Sequence, residues 1–238
     1  MNHSMTDIHQ HLFWGIDDGP QTHQVMQAML RQASEQGIGT VVATPHCTPG
    51  LVPFDLGLCR ERQAEAQCFC DKEGLDVKVL LGAEIAWTHQ TVLSLRQSRI
   101  PTLGDTDYVL LEFWRNVSWQ VAADAVRQLI GAGYCPVLAH PERYHAFMLS
   151  PKKALRFREQ SGVLLQVNAA SLLNPVSMLQ RRFLRILLEQ RAIDAVATDA
   201  HGCPERPINL LQARKWLAEN TDETYAAAVI NFDGIFTE

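Results

Sequence analysis

Histidines and carboxylates follow most of the short apolar runs that the sequence predicts as strands. The first run leads into His9 and His11, and the last leads into Asp199 and His201. Imidazole nitrogen and carboxylate oxygen together suit zinc, manganese or iron(II), and a set without thiolates argues against a structural zinc site. The candidate metal ligands are His9, His11, Asp18, His46, Glu84, Glu112, His140, Asp199 and His201.

The number and spacing of these residues favour a site with more than one ion. His9 and His11 are one residue apart, so on an extended backbone both side chains point to the same side. The whole set exceeds what one ion of about four to six ligands can use, so we expect two or three divalent ions with a bridging carboxylate. A single buried histidine is more often a hydrogen-bonded core residue, so this prediction depends on the joint placement. Asp17 and Asp18 are adjacent, and the residues alone do not decide which one is a ligand.

The elements that must position these residues alternate strand with helix along the chain. Near-continuously apolar strands predict a parallel sheet that is buried on both faces, either closed as a barrel or open. No glycine-rich nucleotide-binding motif follows the first strand, which disfavours the open nucleotide-binding sheet. We expect one domain over residues 1–238 with an irregular start at 1–5. The predicted strands are Thr6–Ile8, Gly39–Thr44, Val77–Ile85, Tyr108–Phe113, Pro136–Ala139, Val163–Val167 and Ala192–Thr198.

Composition narrows the class of protein further. The net charge is −5, and no lysine or arginine block stands out, so we expect no nucleic-acid partner. No apolar run approaches the roughly 18 residues of a membrane span, so we expect no membrane insertion. The six cysteines form no Cys-x-x-Cys pair, and no signal peptide is apparent, which predicts a reduced cytoplasmic protein.

The order of these motifs resembles the polymerase and histidinol phosphatase superfamily. Within it, the likeness is to the bacterial protein-tyrosine phosphatases associated with capsule and exopolysaccharide synthesis. The blocks that carry the likeness run over nearly the whole chain in order: Asp7-Ile8-His9-Gln10-His11, Asp17-Asp18-Gly19-Pro20, Ala43-Thr44-Pro45-His46, Gly82-Ala83-Glu84-Ile85, Ile100-Pro101-Thr102-Leu103, Leu110-Leu111-Glu112-Phe113, Ala139-His140-Pro141-Glu142-Arg143-Tyr144, Gln166-Val167-Asn168, Ala197-Thr198-Asp199-Ala200-His201 and Arg206-Pro207.

The resemblance implies an α/β fold with a distorted, seven-stranded TIM-like barrel and three metal pockets. It implies that Asp18 is a ligand in preference to Asp17. It also implies that Arg143 and Arg206 bind the substrate phosphate. From the residues alone, Arg143 could instead form an ion pair at the barrel rim with Glu142 or Asp199. The implied pockets are His9, His11, Glu84 and Asp199; Glu84 as a bridge with Glu112 and His140; and Asp18, His46 and His201.

The chemistry expected from such a site is hydrolysis of a phosphate monoester by a metal-activated, bridging hydroxide. Arg143 and Arg206 would neutralise the equatorial phosphoryl oxygens. A phenolate leaves with a pKa of about 10, so a tyrosine ester needs little proton donation, and His201 or a metal-bound water could provide it. A cysteine phosphatase is excluded, because no cysteine is followed six residues later by an arginine.

We therefore predict a manganese-dependent protein-tyrosine phosphatase, with iron or zinc as alternative metals. Its expected partner is a phosphotyrosine protein, namely a bacterial tyrosine kinase that controls capsule or exopolysaccharide synthesis, and a homo-oligomer is compatible with the resemblance. The alternative within the fold is a small-molecule phosphatase of the histidinol-phosphatase type. A phosphodiesterase is disfavoured because no basic groove is predicted. A metal-binding regulator without turnover is disfavoured because every ligand position and both arginines are present.

Overall fold

Parallel strands and helices alternate throughout the structure. The computed structural model describes residues 5–202, 204 and 206–232. The strands in these residues are β1 (Met5–Gln10), β2 (Ile38–Ala43), β3 (His46–Cys47), β4 (Lys78–Leu81), β5 (Glu84–Ala86), β6 (Tyr108–Glu112), β7 (Cys135–Ala139), β8 (Leu164–Asn168) and β9 (Ala195–Ala197). The helices are α1 (His23–Glu35), α2 (Leu56–Glu73), α3 (Thr91–Arg96), α4 (Trp119–Gly131), α5 (His145–Leu149), α6 (Pro151–Ser161), α7 (Ala169–Leu173), α8 (Met178–Glu189), α9 (Leu210–Asn220) and α10 (Glu223–Asn231).

The predicted parallel α/β architecture is confirmed, but the strands of the described chain form two sheets. One sheet has the order β1-β2-β4, and the other has the order β3-β5-β6-β7-β8-β9, with every pairing parallel. Two sheets arise because the chain is interrupted between β2 and β3 and between β4 and β5. The first interruption lies at the end of the second predicted strand, and the second lies inside the third predicted strand. Pro45 lies in the first interruption and has no N–H to donate to a ladder.

Gly82 lies in the second interruption, where neighbouring side chains leave no room for a larger residue. A Cβ atom at this position would lie 2.9 Å from the Leu103 side chain and 3.0 Å from Val42. Backbone hydrogen bonds nevertheless cross both interruptions, from Gly82 N–H to the Ala43 carbonyl at 2.8 Å and from Glu84 N–H to the Pro45 carbonyl at 3.1 Å. Hydrogen bonding between neighbouring segments therefore continues across both interruptions, although the strands on either side belong to different sheets.

The segment that follows β9 contacts β1. The Asp199 N–H donates to the His9 carbonyl at 2.8 Å, and the His11 N–H donates to the Ala200 carbonyl at 2.9 Å. Gln10 and Ala200 form an isolated parallel bridge. The C-terminal end of the last strand is thereby held against the C-terminal end of the first.

Alternate residues of the same strands pack on opposite faces. Leu110 and Val137 belong to a small cluster of strand residues, while Leu111 and Leu138 belong to a large cluster that includes the apolar faces of the helices. Both faces are apolar, as expected for parallel strands with helices packed against them. Across the described residues, no helix combines the length and apolar character that a bilayer crossing requires.

Local signals in the sequence fix the helix ends. Thr22 caps α1, and its side chain accepts a hydrogen bond from the Val25 N–H.

The start of the chain differs from the prediction, because Met5 is the first residue of β1 and is buried. The rest of the predicted irregular start, residues 1–4, lies outside the described residues.

Candidate metal centre

The candidate ligands converge because most of them lie where a parallel strand ends or is interrupted. His9 is in β1 and Glu112 ends β6, whereas His46 and Glu84 begin β3 and β5, directly after the ends of β2 and β4. Asp18 lies in the loop that follows β1. In barrels of parallel strands, these ends share one face, where active sites lie. We call the whole set the histidine–carboxylate cluster: His9, His11, Asp18, His46, Glu84, Glu112, His140, Asp199 and His201.

Three groups within this cluster bring potential ligand atoms within 4.8 Å of one another. His140 belongs to none of them, but its Nε2 lies 2.7 Å from Glu84 Oε1 and 3.8 Å from Glu112 Oε1. His46 is the histidine that joins the two glutamates in one group, whereas the resemblance implied His140. The groups are His9, His11, Glu84 and Asp199; His11, Asp18, His46 and His201; and His46, Glu84 and Glu112.

Glu84 occupies the centre of the cluster and is almost fully buried. Its carboxylate lies 3.4 Å from His9 Nε2, 3.2 Å from His11 Nε2 and 2.9 Å from His46 Nδ1. Burial opposes its ionisation, but the surrounding histidines outweigh burial and hold the pKa of Glu84 well below its ordinary value. Glu84 is thus an ionised carboxylate within reach of four imidazoles, including His140.

Neighbouring residues fix the tautomers of His9 and His11. The His9 Nδ1 donates to Gln166 Oε1 at 2.9 Å, and the His11 Nδ1 pairs with Asp17 Oδ2 at 2.7 Å. When Nδ1 carries the proton, the lone pair of the neutral ring is on Nε2. In both residues Nε2 is the atom that faces Glu84, so each ring directs a potential ligand atom into the cluster.

Asp17 and Asp18 have different positions, which the sequence alone did not separate. Asp17 is largely buried and also accepts hydrogen bonds from the backbone N–H groups of Gly19 and His46. Burial opposes its ionisation, but the His11 hydrogen bond prevails and lowers its pKa. Asp18 is 59% exposed, and its Oδ1 lies 3.2 Å from His201 Nε2 and 3.3 Å from His46 Nε2. Asp17 therefore orients His11, whereas Asp18 faces the other histidines.

A relay of amide side chains connects two members of the cluster from behind. The Gln166 amide, which accepts from His9, donates to Asn168 Oδ1 at 2.9 Å, and the Asn168 amide donates to Asp199 Oδ2 at 2.8 Å. The sequence assigned no role to Gln166 or Asn168, and it presented Asp17 only as an alternative to Asp18 as a ligand. The position of Gln166 and Asn168 could have indicated a role. They lie at the end of a strand and are separated by one residue, as His9 and His11 are.

Both candidate arginines form ion pairs with Asp199. Arg143 Nη2 lies 2.6 Å from Asp199 Oδ2, and Arg206 Nη2 lies 2.8 Å from Asp199 Oδ1. Arg206 also lies 3.3 Å from Asp18 Oδ2. Of the two ion pairs considered for Arg143, the structure contains the one with Asp199. Each guanidinium remains about one-third exposed, at 31% and 30%.

Two members of the cluster have a backbone that side-chain-bearing residues seldom adopt. His140 has φ 34° and Asp199 has φ 54°. These values lie in the left-handed region, where a non-glycine residue is strained by about 1–2 kcal/mol. The backbone thus holds both side chains toward the cluster at an energetic cost.

Unpaired buried atoms show that the cluster suits divalent cations. His9 Nε2, His11 Nε2, Glu84 Oε2 and His201 Nε2 are buried and have no hydrogen-bond partner among the described residues. Buried polar atoms are nearly always paired, so four unpaired nitrogen and oxygen atoms that face one another are suited to hold a divalent cation. The pKa of Glu112 is also raised to about 7, by burial and by the charge of Glu84, so a nearby cation would favour its ionised form.

Comparisons with known proteins agree with this geometry. The chain is 29% identical to tyrosine-protein phosphatase CpsB of Streptococcus pneumoniae over 90% of each chain. It is 31% identical to tyrosine-protein phosphatase YwqE of Bacillus subtilis over 88% of this chain and 82% of that one. A solved structure from work on these two metal-dependent tyrosine phosphatases matches with a TM-score of 0.84, at 29% identity, over 93% of this chain and 90% of the other.

A family model described as capsular polysaccharide synthesis, CpsB/CapC, matches residues 5–234. This match covers nearly the whole chain and confirms the family that the motifs predicted. The chain belongs to the CpsB/CapC family of capsular polysaccharide synthesis proteins.

Proposed function

We propose that this protein is a metal-dependent phosphatase that hydrolyses phosphotyrosine in proteins. The observation that carries the proposal is the set of unpaired, buried nitrogen and oxygen atoms facing one another in the histidine–carboxylate cluster. Relatives that are tyrosine-protein phosphatases, matched over most of the chain, support the same activity.

Two to three divalent ions, with manganese preferred, would be held by the three groups of the cluster. In this proposal Glu84 would be a ligand shared between two of the groups, and His140 would join Glu84 and Glu112 as a ligand. When bound, such ions act as Lewis acids toward phosphoryl oxygens and increase the acidity of a neighbouring water. The gathering of carboxylates and imidazoles supports this assignment, because it supplies hard oxygen and borderline nitrogen ligands together.

Arg143 and Arg206 would bind the substrate phosphate. Their guanidinium groups lie side by side on the two oxygens of Asp199, and both remain partly exposed. A planar guanidinium offers paired N–H donors that match phosphoryl oxygens, so the two forks would stabilise charge that builds up on the phosphate. Asp199 would position both forks while its oxygens also face His9 and His11.

His201 would serve as a ligand and not as a proton donor. Its Nδ1 donates to the Asp199 carbonyl at 2.9 Å, which leaves the lone pair on Nε2. Burial, His11 and Arg206 lower the pKa of His201 to about 4, so the ring is neutral near pH 7. A tyrosine phosphate ester can be hydrolysed without a proton from His201, because its phenolate leaves with a pKa of about 10 and needs little protonation.

The proposed substrate is a phosphotyrosine protein of the capsule or exopolysaccharide system, with a bacterial tyrosine kinase as the preferred candidate. The family description, capsular polysaccharide synthesis, supports that context.

We also propose that the chain acts as one domain, with both sheets forming a distorted seven-stranded barrel. The bridge between Gln10 and Ala200 supports closure between the first and last strands. The proposed compartment is the cytoplasm.

A paired assay tests the activity. The manganese-loaded protein should hydrolyse a phosphotyrosine peptide well above L-histidinol phosphate, lose activity on chelation and regain it with Mn²⁺. Elemental analysis of the purified protein should find two to three divalent ions per chain. Preference for histidinol phosphate would favour the small-molecule alternative, and activity unaffected by chelation would overturn the metal-dependent mechanism.

A further inference from the structure

A cavity beside the histidine–carboxylate cluster has a predominantly aromatic and aliphatic wall. Its volume is 610 Å³, within the range of about 300–1,000 Å³ that is usual for ligand pockets. His46 and Glu112 line it, so the cavity is continuous with the cluster. We call it the aryl cavity, and its apolar wall consists of Ala86, Trp87, Phe113, Trp114, Val117 and Val121.

The wall of the aryl cavity is built from the loops that directly follow two ligand-bearing strands. Trp87 comes after β5, which begins at Glu84. The backbone N–H of Trp87 donates to the Glu112 carbonyl at 3.0 Å. The loop that contains Trp114 follows β6, which ends at Glu112. The strand ends that present the carboxylates therefore also place the aromatic wall, so the cavity is fixed relative to the cluster.

Trp114 is the most exposed part of this wall, although its loop is held in place. Its side chain is 80% exposed. On one side, the Phe113 N–H donates to Tyr144 Oη at 3.1 Å; on the other, the Arg115 carbonyl accepts from the His145 N–H at 3.0 Å. The anchored loop therefore presents a large indole to solvent beside the histidine–carboxylate cluster, in a position to pack against a bound apolar group.

We infer that the aryl cavity binds the aromatic ring of the phosphotyrosine side chain and selects aryl over alkyl phosphates. This inference rests on the proposed function. A chain of contacts connects the arginines to the cavity: Asp199 pairs with both arginines and lies 3.4 Å from His9, and Glu84 contacts both His9 and His46. A phosphate held by the arginines and the cluster would leave its ester substituent free to enter the cavity. A phenyl ring would gain stacking and apolar burial there that a short alkyl group cannot match.

The sharpest test compares two phosphonates that the enzyme cannot hydrolyse, phenylphosphonate and methylphosphonate, as competitive inhibitors of the manganese-loaded protein. In the wild type, phenylphosphonate should inhibit more strongly. Trp114→Ala should weaken inhibition by phenylphosphonate about tenfold and leave methylphosphonate unchanged, whereas Trp114→Phe should retain most of the preference. KM for a phosphotyrosine peptide should rise by a similar factor in Trp114→Ala, with metal content unchanged.

Leu149→Ala is the matched control, because it removes a similarly exposed apolar side chain, 69% exposed, that lines a different cavity. It should change neither inhibitor. If Trp114→Ala keeps the wild-type ratio of the two inhibition constants, the aryl cavity does not bind the ring. That result leaves the proposed function standing. Failure of the wild-type, metal-loaded protein to hydrolyse phosphotyrosine would overturn the proposed function itself.

Discussion

Two buried polar regions meet on β1 and differ in how their atoms are paired. In the first, both oxygens of Asp7 accept hydrogen bonds: Oδ1 from the Thr198 N–H at 3.0 Å, and Oδ2 from Thr198 Oγ1 at 2.5 Å and from Gln10 Nε2 at 3.1 Å. We call these three residues the Asp7 network, in which Gln10 Oε1 is the buried atom without a partner among the described residues. In the second, the histidine–carboxylate cluster, five buried atoms have no such partner: His9 Nε2, His11 Nε2, Glu84 Oε2, His140 Nδ1 and His201 Nε2.

The difference separates two uses of buried polarity. A carboxylate whose donors all come from the chain stabilises the fold, because each of its desolvated oxygens regains a hydrogen bond. A group of acceptors that face one another does not stabilise the fold unaided and needs a cation. On this view Asp7 holds the end of β9 to β1, whereas Glu84, although it is equally buried, is available to bind a metal ion.

The largest expected effect is on turnover when the centre of the cluster is changed. Glu84→Gln should lower kcat/KM for a phosphotyrosine peptide at least about a thousandfold, because metal stabilisation of transition-state charge is worth several kcal/mol. Metal content, measured by elemental analysis, should fall in parallel. Glu61→Gln, on the exposed face of α2, should change neither quantity. A Glu84→Gln protein that keeps its metal and activity would remove the distinction between the two regions.

The next largest effect is on stability when the Asp7 network is broken. Asp7→Ala should lower the free energy of unfolding of the metal-free protein by about 3 kcal/mol, because buried donors on Thr198 and Gln10 lose their acceptor. Urea denaturation in the presence of chelator measures this change. The surface variant Asp124→Ala, which loses only an exposed ion pair with Arg127, should stay within about 0.5 kcal/mol of the wild type. Equal losses for the two variants would contradict a structural role for Asp7.

Metal addition should distinguish the two regions in one protein. Mn²⁺ at about a hundred times its dissociation constant should stabilise the wild type by about 2.7 kcal/mol, or raise Tm by roughly 5–10 °C for a chain of this size. Asp7→Ala should retain this response, and Glu84→Gln should lose it. Differential scanning calorimetry with and without chelator provides the measurement. The same Mn²⁺ response in both variants would show that the metal binds elsewhere.

The smallest expected effect concerns the arginines beside the cluster. Arg206→Lys should lower kcat/KM about tenfold while metal content stays constant, because lysine keeps the charge but loses the planar fork. Arg60→Lys on the exposed surface of α2 is the control. A loss of metal in Arg206→Lys would instead mean that the arginine maintains the cluster through its ion pairs with Asp199 and Asp18.

Much of this arrangement could be predicted because it follows from strand order and residue type. Parallel strands bring their C-terminal ends together, so His9, Glu84 and Asp199 could be placed at one site from the sequence. The short strand β3 after Pro45 and the break at Gly82 were not predicted, because both depend on close approach to neighbouring chain segments. The separate roles of Asp17 and Asp18 also depend on which side chain turns inward, and two adjacent aspartates carry no such signal.

The left-handed backbone at His140 and Asp199 bears on attempts to engineer this protein. Glycine at either position would relieve this strain but would also delete a buried side chain. At Asp199 the change would leave Arg143, Arg206 and Asn168 without their acceptor, so the lost contacts should outweigh the relieved strain. Replacing the strained residue with glycine, a common route to a more heat-resistant protein, is therefore expected to fail at Asp199.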